Sequence, residues 1–152
     1  MELNPNLTLL FPSFEYKLKQ KEGKLYIFDE IAKKFRFLSP EEWVRQHCLN
    51  YLTKHLNYPA GMIQIEGGMK VNQLNRRTDI RVYQPNGSIY LLIECKAPHI
   101  AISDVTLAQI SQYQKNHQAQ YISMTNGLEI QTFNMNINSI DSTFNNQFPT
   151  YL

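Results

Sequence analysis

TDIRVYQPNGSIYLLIECKAP, residues 78–98, holds the strongest strand and turn signals in the chain. Two runs rich in β-branched and aromatic residues, Thr78 to Tyr83 and Ile89 to Ala97, flank Gln84-Pro85-Asn86-Gly87-Ser88, and Asn-Gly between such runs signals a hairpin. With Asn86 and Gly87 as a two-residue loop, Pro85 faces Ser88, and counting outward sets Asp79 opposite Glu94. Side chains alternate along a strand, so Tyr90, Leu92, Glu94 and Lys96 take one face and Leu91, Ile93, Cys95 and Ala97 the other. Asp79, Glu94 and Lys96 are therefore expected on a common face. The same register sets Arg77 against Lys96, so pairing is expected to end or twist away there. Ile89-Tyr90-Leu91-Leu92-Ile93 is a near-continuous apolar run, the pattern of a central strand buried on both faces.

Two carboxylates directly across an antiparallel pair stand roughly 5 Å apart at Cβ and repel. They raise one another's pKa unless a cation lies between them. Mg²⁺, or Mn²⁺ in its place, suits the position: Asp79, Glu94 and the backbone carbonyl of Cys95 supply hard oxygen ligands, leaving room for waters and a phosphate oxygen. Such an ion would activate water for attack on phosphorus, and Lys96 would orient that water or offset charge on the phosphoryl group. Glu-x-Lys alone is common in exposed ion-pair ladders. Here it follows an apolar run and faces a carboxylate, which favours a site.

Outward from the hairpin, residues 14–38 alternate polar and apolar with breaks at Glu22-Gly23 and around Asp29 to Lys34, which predicts an N-terminal β meander. Ser39-Pro40-Glu41-Glu42 reads as a capping box opening a helix that runs to about Tyr51 to His55. Trp43, Val44, Cys48, Leu49 and Leu52 form its apolar stripe. Met62 to Glu66 reads as a strand, followed by a linker carrying Lys70, Arg76 and Arg77. Beyond the hairpin, Ser103-Asp104 caps a helix to about His117. Tyr121 to Met124 and Leu128 to Phe133 are strands joined at Asn126-Gly127. From Asn134 on, irregular or short helical structure is expected to dock by Ile137, Ile140, Phe144 and Phe148. A length of 152 residues without internal repeats or a linker that would mark a second domain points to one domain, residues 1–152.

The composition, 43% hydrophobic and 18% charged, excludes a disordered or coiled-coil chain. A net charge of +2 gives no general polyanion-binding surface, so phosphate contacts must come from local clusters. Lys17, Lys19, Lys21 and Lys24 read mainly as solvated surface, and Lys70, Arg76, Arg77 and Arg81 form a second cluster in the middle of the chain, from which Lys70, Arg76 and Arg77 are candidate DNA contacts. Neither a signal peptide nor a membrane span is present, so a cytoplasmic location without membrane contact is expected. Cys48 and Cys95 form no disulfide framework, and His47, His55, His99 and His117 lack metal-ligand spacing.

Asn75-Arg76-Arg77-Thr78-Asp79-Ile80-Arg81-Val82-Tyr83 followed by Leu92-Ile93-Glu94-Cys95-Lys96-Ala97-Pro98 resembles the PD-(D/E)xK nuclease superfamily, and more closely the N-terminal nuclease domain of type I restriction enzyme R subunits. Ser39 to Gln46 and Thr125-Asn126-Gly127 extend the resemblance, which covers about residues 29–133. It implies a restriction-endonuclease-like α/β fold, a central mixed β-sheet flanked by helices. It implies a Mg²⁺-dependent DNA endonuclease, with Asp79 and Glu94 as metal ligands and Lys96 as the catalytic lysine. Gln109 and Tyr113 match the family's Gln-x-x-x-Tyr motif, and four-residue spacing puts them on one helix face. Many members add a glutamate from the first helix, for which Glu41 and Glu42 are candidates; Glu66 is another acidic candidate.

The alternative is a non-catalytic DNA-binding or complex-forming module that keeps the fold. No base-reading motif is present, so DNA contacts are expected mainly with the phosphate backbone, and RNA is a weaker substrate alternative. The chain has no Gly-x-x-x-x-Gly-Lys-Ser/Thr loop, so any translocation would require partner subunits, a translocase or other defence components.

Overall fold

The computed structural model describes residues 7–65, 80–102, 118–135 and 143–152. Strands β1 (Leu18–Lys21), β2 (Lys24–Asp29) and β3 (Lys34–Phe37) form the expected meander. Helix α1 (Pro40–Asn50) follows and is prolonged by a π-helical turn, Tyr51–His55. A second sheet has the order β4 (Ile63–Ile65), β5 (Ile80–Tyr83), β6 (Ile89–Cys95), β7 (Tyr121–Thr125), β8 (Ile130–Asn134) and β9 (Thr143–Asn145). Among the described residues only β6 and β7 pair in parallel, so this sheet is mixed. A parallel pair needs a crossover of a dozen or more residues. The helix expected over residues 103–117 falls in that connection and lies outside the described residues.

Helix α1 begins as its sequence dictates: Ser39 Oγ accepts the Glu42 N–H at 3.0 Å, and Pro40 occupies the first turn, where no N–H is needed. The reciprocal arm of the capping box is absent, because the Glu42 carboxylate is engaged by Arg45 and Arg36 instead. A guanidinium at a buried site competes successfully with a neutral N–H for the carboxylate.

The hairpin corrects the two-residue turn. Gly87 N–H donates to the Gln84 carbonyl and Gln84 N–H to the Ser88 carbonyl, so Pro85, Asn86 and Gly87 are all loop residues and Gln84, not Pro85, faces Ser88. Gly87 takes φ +88°, the left-handed position that ends a three-residue hairpin loop. This displaces the expected register by one residue, and Tyr83 pairs with Ile89. The register then shifts between Val82 and Tyr83, leaving Tyr90 as the extra residue of a bulge. From there inward the expected pairs return: Val82 with Leu91, Arg81 with Leu92 and Ile80 with Ile93.

The bulge also corrects the face assigned to Tyr90. Tyr90, Leu91, Ile93 and Cys95 all join the core against α1, with Val44, Cys48 and Leu49, while Leu92 joins Ile122, Met124 and Phe133 on the other side of the sheet. An inserted residue puts two consecutive side chains on one face, which alternation alone cannot anticipate. Tyr90 then packs edge-on against Tyr121 and Tyr151, and its hydroxyl donates to the Thr150 carbonyl.

The final segment is more regular than expected. Residues 143–145 add strand β9 to the sheet edge beside β8. Phe148 is buried and stacks at 6.1 Å on Phe11, and the Tyr58 hydroxyl donates to the Pro149 carbonyl. Ile137 and Ile140 lie outside the described residues.

Two local features carry testable consequences. Gly127 has φ +86°, and a Cβ there would stand 2.8 Å from Leu9 Cδ2 and 3.3 Å from Val44 Cγ2. Gly127→Ala is expected to cost about 1–2 kcal/mol from the left-handed backbone and about 1–3 kcal/mol more from overpacking. A denaturant midpoint equal to wild type would contradict this.

His47 is buried, its Nδ1–H donating to the Trp43 carbonyl at 2.9 Å, and burial holds its pKa below the usual value despite that bond. A depressed histidine pKa means that the unfolded chain binds more protons. The contribution of His47 is therefore full above about pH 6.5 and is lost as pH falls toward the folded pKa. Wild type should lose melting temperature faster than His47→Gln as pH falls from about 7.5 to 5.5. Parallel slopes would refute the assignment.

Candidate active site

Glu94 and Lys96 sit where the central strand runs out. Leu92 and Glu94 pair in register with Ile122 and Met124 of β7, so Glu94 projects from the face opposite α1. The Glu94 side chain is 8% exposed and Lys96 is 32% exposed, with Lys96 Nζ 3.0 Å from Glu94 Oε1. One carboxylate oxygen is thus held by an ammonium that reaches solvent. The other, Oε2, is buried with no hydrogen-bond partner among the described residues. A buried acceptor left in that state costs about 1–3 kcal/mol.

The backbone adds a second oxygen. Lys96 N–H donates to the Thr125 carbonyl at 2.8 Å, on the β7 side. In a trans peptide the C=O points away from the N–H, so the Cys95 carbonyl is directed to the β5 side. The Cys95 thiol is buried in the core against α1. The chemistry of this set fits a divalent cation: a buried carboxylate oxygen without a donor, beside a carbonyl aimed at the neighbouring strand. Among the described residues, no three His, Cys, Asp or Glu side chains gather closely enough to hold a metal.

Asp79 lies outside the described residues. The last described pair of the hairpin, Ile80 with Ile93, has the register from which Asp79 was expected to face Glu94. Arg81 lies opposite Leu92 on the Glu94 face and donates to the Tyr83 hydroxyl at 3.4 Å. Gln109 and Tyr113, Glu66, and the basic trio Lys70, Arg76 and Arg77 also lie outside the described residues.

The loop after β7 supports the end of β6. Asn126 Oδ1 accepts the Leu128 and Glu129 N–H groups at 2.9 and 3.0 Å, while its Nδ2 donates to the Ile100 carbonyl at 2.8 Å. Asparagine serves such turns because its amide replaces a backbone partner. Thr125, whose carbonyl holds Lys96, also donates its hydroxyl to the Glu129 carbonyl.

The first-helix glutamates are placed differently from each other. Glu41 is exposed in the first turn. Glu42 is buried and paired with Arg45, with Arg36 Nε 3.6 Å from Oε1; burial pushes its pKa up, against the opposing pull of the two guanidiniums. Its helix packs on the Leu91, Ile93 and Cys95 face, whereas Glu94 projects from the other. The structure thus brings Glu94 and Lys96 together and places Glu42 in a separate ion cluster.

That cluster was not foreseen from the sequence, where Asp29 marks only a break. Asp29 is fully buried: Oδ1 accepts the Ile31 and Ala32 N–H groups, each at 2.9 Å, and Oδ2 accepts Arg36 Nε at 2.7 Å. The legible signal is an aspartate followed two and three residues later by turn N–H groups. Its arginine, on the next strand, carries no such local mark.

A family model described as Type I restriction enzyme R protein N terminus matches residues 40–149, well over half of the chain. No curated protein matches it. The mixed sheet with its packed helix is consistent with a restriction-endonuclease-like α/β domain. Among the described residues no helix is long and apolar enough to cross a membrane.

Proposed function

We propose, from the premise that the chain belongs to the Type I restriction enzyme R protein N-terminal family, that it hydrolyses DNA phosphodiester bonds at a metal-dependent centre formed by Asp79, Glu94 and Lys96. The observation that carries this reading is the buried Glu94 Oε2 without a hydrogen-bond donor, beside an oxygen already held by Lys96. Asp79, Glu94 and the Cys95 carbonyl would hold Mg²⁺ or Mn²⁺. Bound there, such an ion supplies a Lewis acid for the phosphoryl oxygen and lowers the pKa of water.

The remaining roles belong to the chain. Glu94 keeps Lys96 Nζ in place through its Oε1. The ammonium, partly open to solvent, meets the scissile phosphate and offsets negative charge on its oxygens. Burial of Glu94 lowers the local dielectric response, which strengthens both interactions relative to water. Gln109 and Tyr113 position substrate or the lysine, and Lys70, Arg76 and Arg77 contact neighbouring phosphates. Recognition is mainly of backbone charge, and translocation would be supplied by partner subunits.

Supercoiled and linear DNA incubated with the protein in Mg²⁺ or Mn²⁺ and in chelator provide the test. Cutting that requires the metal is expected. Binding that is equal with and without metal, accompanied by no cutting, would replace this reading with a non-catalytic DNA-binding module.

A further inference from the structure

The outer face of the N-terminal meander has an order unrelated to the Glu94 centre. Its inner face is built on Ile27 and Asp29, both fully buried. Alternation sends Tyr26 and Phe28 of β2 to the other side. The register then lines up two rows. Lys19, Tyr26 and Phe37 stand side by side across the three strands. The Phe28 N–H bonds the Lys17 carbonyl, extending the ladder so that Lys17, Phe28 and Phe35 form the next row.

Each row thus carries one lysine and two aromatic rings. Phe35 and Phe37 are 38% and 55% exposed. Tyr26 meets Phe37 edge-on at 6.0 Å, and Phe28 meets Phe35 at 5.2 Å. Lys17 Nζ lies 5.6 Å from the Phe28 ring and Lys19 Nζ 5.2 Å from the Phe35 ring. Lys21 and Lys24, paired at the hairpin end, prolong the basic edge. Cross-strand aromatic contact helps a thin three-stranded sheet hold together. It does not require the rings to face solvent beside a lysine in every row.

From this arrangement we infer that the outer face of the meander binds single-stranded nucleic acid, with bases stacked on Phe35 and Phe37 and phosphates held by Lys17 and Lys19. Charge complementarity selects this occupant: exposed rings bordered by ammonium groups match a polyanion whose bases are free to stack. A duplex hides its bases and could use only the lysines.

Fluorescence anisotropy with labelled oligo(dT), oligo(rU) and a duplex of equal length tests the inference. Chelator is kept present, so that neither cleavage nor the metal centre contributes and failure here is independent of the nuclease reading. Single strands should bind more tightly than duplex. Phe35→Ala and Phe37→Ala should each weaken that binding about tenfold, with circular dichroism unchanged. Lys19→Gln should reduce the slope of log affinity against log salt by about 0.7. Equal binding of oligo(dT) and oligo(rU) would support stacking as the shared chemistry, and preference for one would identify the source. No binding, duplex binding as tight as single-strand binding, or unchanged affinity in both phenylalanine variants would overturn the inference. So would self-association abolished by Phe37→Ala in a protein that binds no oligonucleotide.

Discussion

Glu94→Ala and Lys96→Ala should each lower metal-dependent DNA cleavage by on the order of 10²–10³-fold or more, the usual cost of removing a group that stabilises transition-state charge. The two variants should fail differently. Without Glu94 the proposed centre loses a ligand, so Mn²⁺ affinity falls together with cleavage. Without Lys96 the ligand oxygens remain, and Mn²⁺ affinity should be retained while cleavage is lost. Glu94→Gln sharpens the distinction, because it preserves side-chain volume at an 8% exposed position while removing the charge. Lys96→Arg is not expected to rescue, since a planar guanidinium replaces a compact point charge. Cleavage within about twofold of wild type in both alanine variants would sink the proposed roles.

Asp29→Ala is expected to cost about 3–5 kcal/mol, because it strips a largely buried guanidinium of its nearest counter-charge. Asp29 is fully buried, and its Arg36 partner is 9% exposed at the side chain. The same carboxylate accepts two turn N–H groups, which would be left unpaired. Asp29→Asn retains an acceptor oxygen and should cost less. Equilibrium denaturation of the two variants gives the comparison. A loss below about 1 kcal/mol for alanine would mean that Arg36 is adequately served by Glu42, 3.6 Å away, and the ranking of Asp29 within the cluster would be wrong.

Much of the architecture was legible because it rests on neighbours in the chain. Ser39 caps α1, the Val44, Cys48, Leu49 and Leu52 stripe faces the core, and the apolar run from Ile89 becomes a strand buried at six consecutive positions. The Glu94 and Lys96 relation is equally local, since residues two apart on a strand share a face. The hairpin is more instructive. The inner pairs came out in the expected register although the turn did not, because a longer loop and a bulge at Tyr90 displace the pairing in opposite senses.

Periodicity and turn chemistry act between adjacent residues, and they sufficed for most of the strands, for the central place of β6 and for the common projection of Glu94 and Lys96; β9, in a segment expected to be irregular or helical, is the exception. Tyr90 leaves the Glu94 face only in the folded molecule, because Tyr121, Tyr151 and the Thr150 carbonyl receive it on the other side of the sheet. Only there does Asp29 become a buried hub and Glu42 turn to Arg36 and Arg45 instead of its helix cap. In each case at least one partner comes from another element, and its strength depends on burial that no single segment can create. Burial likewise isolates Glu94 Oε2, the feature on which the proposed centre rests.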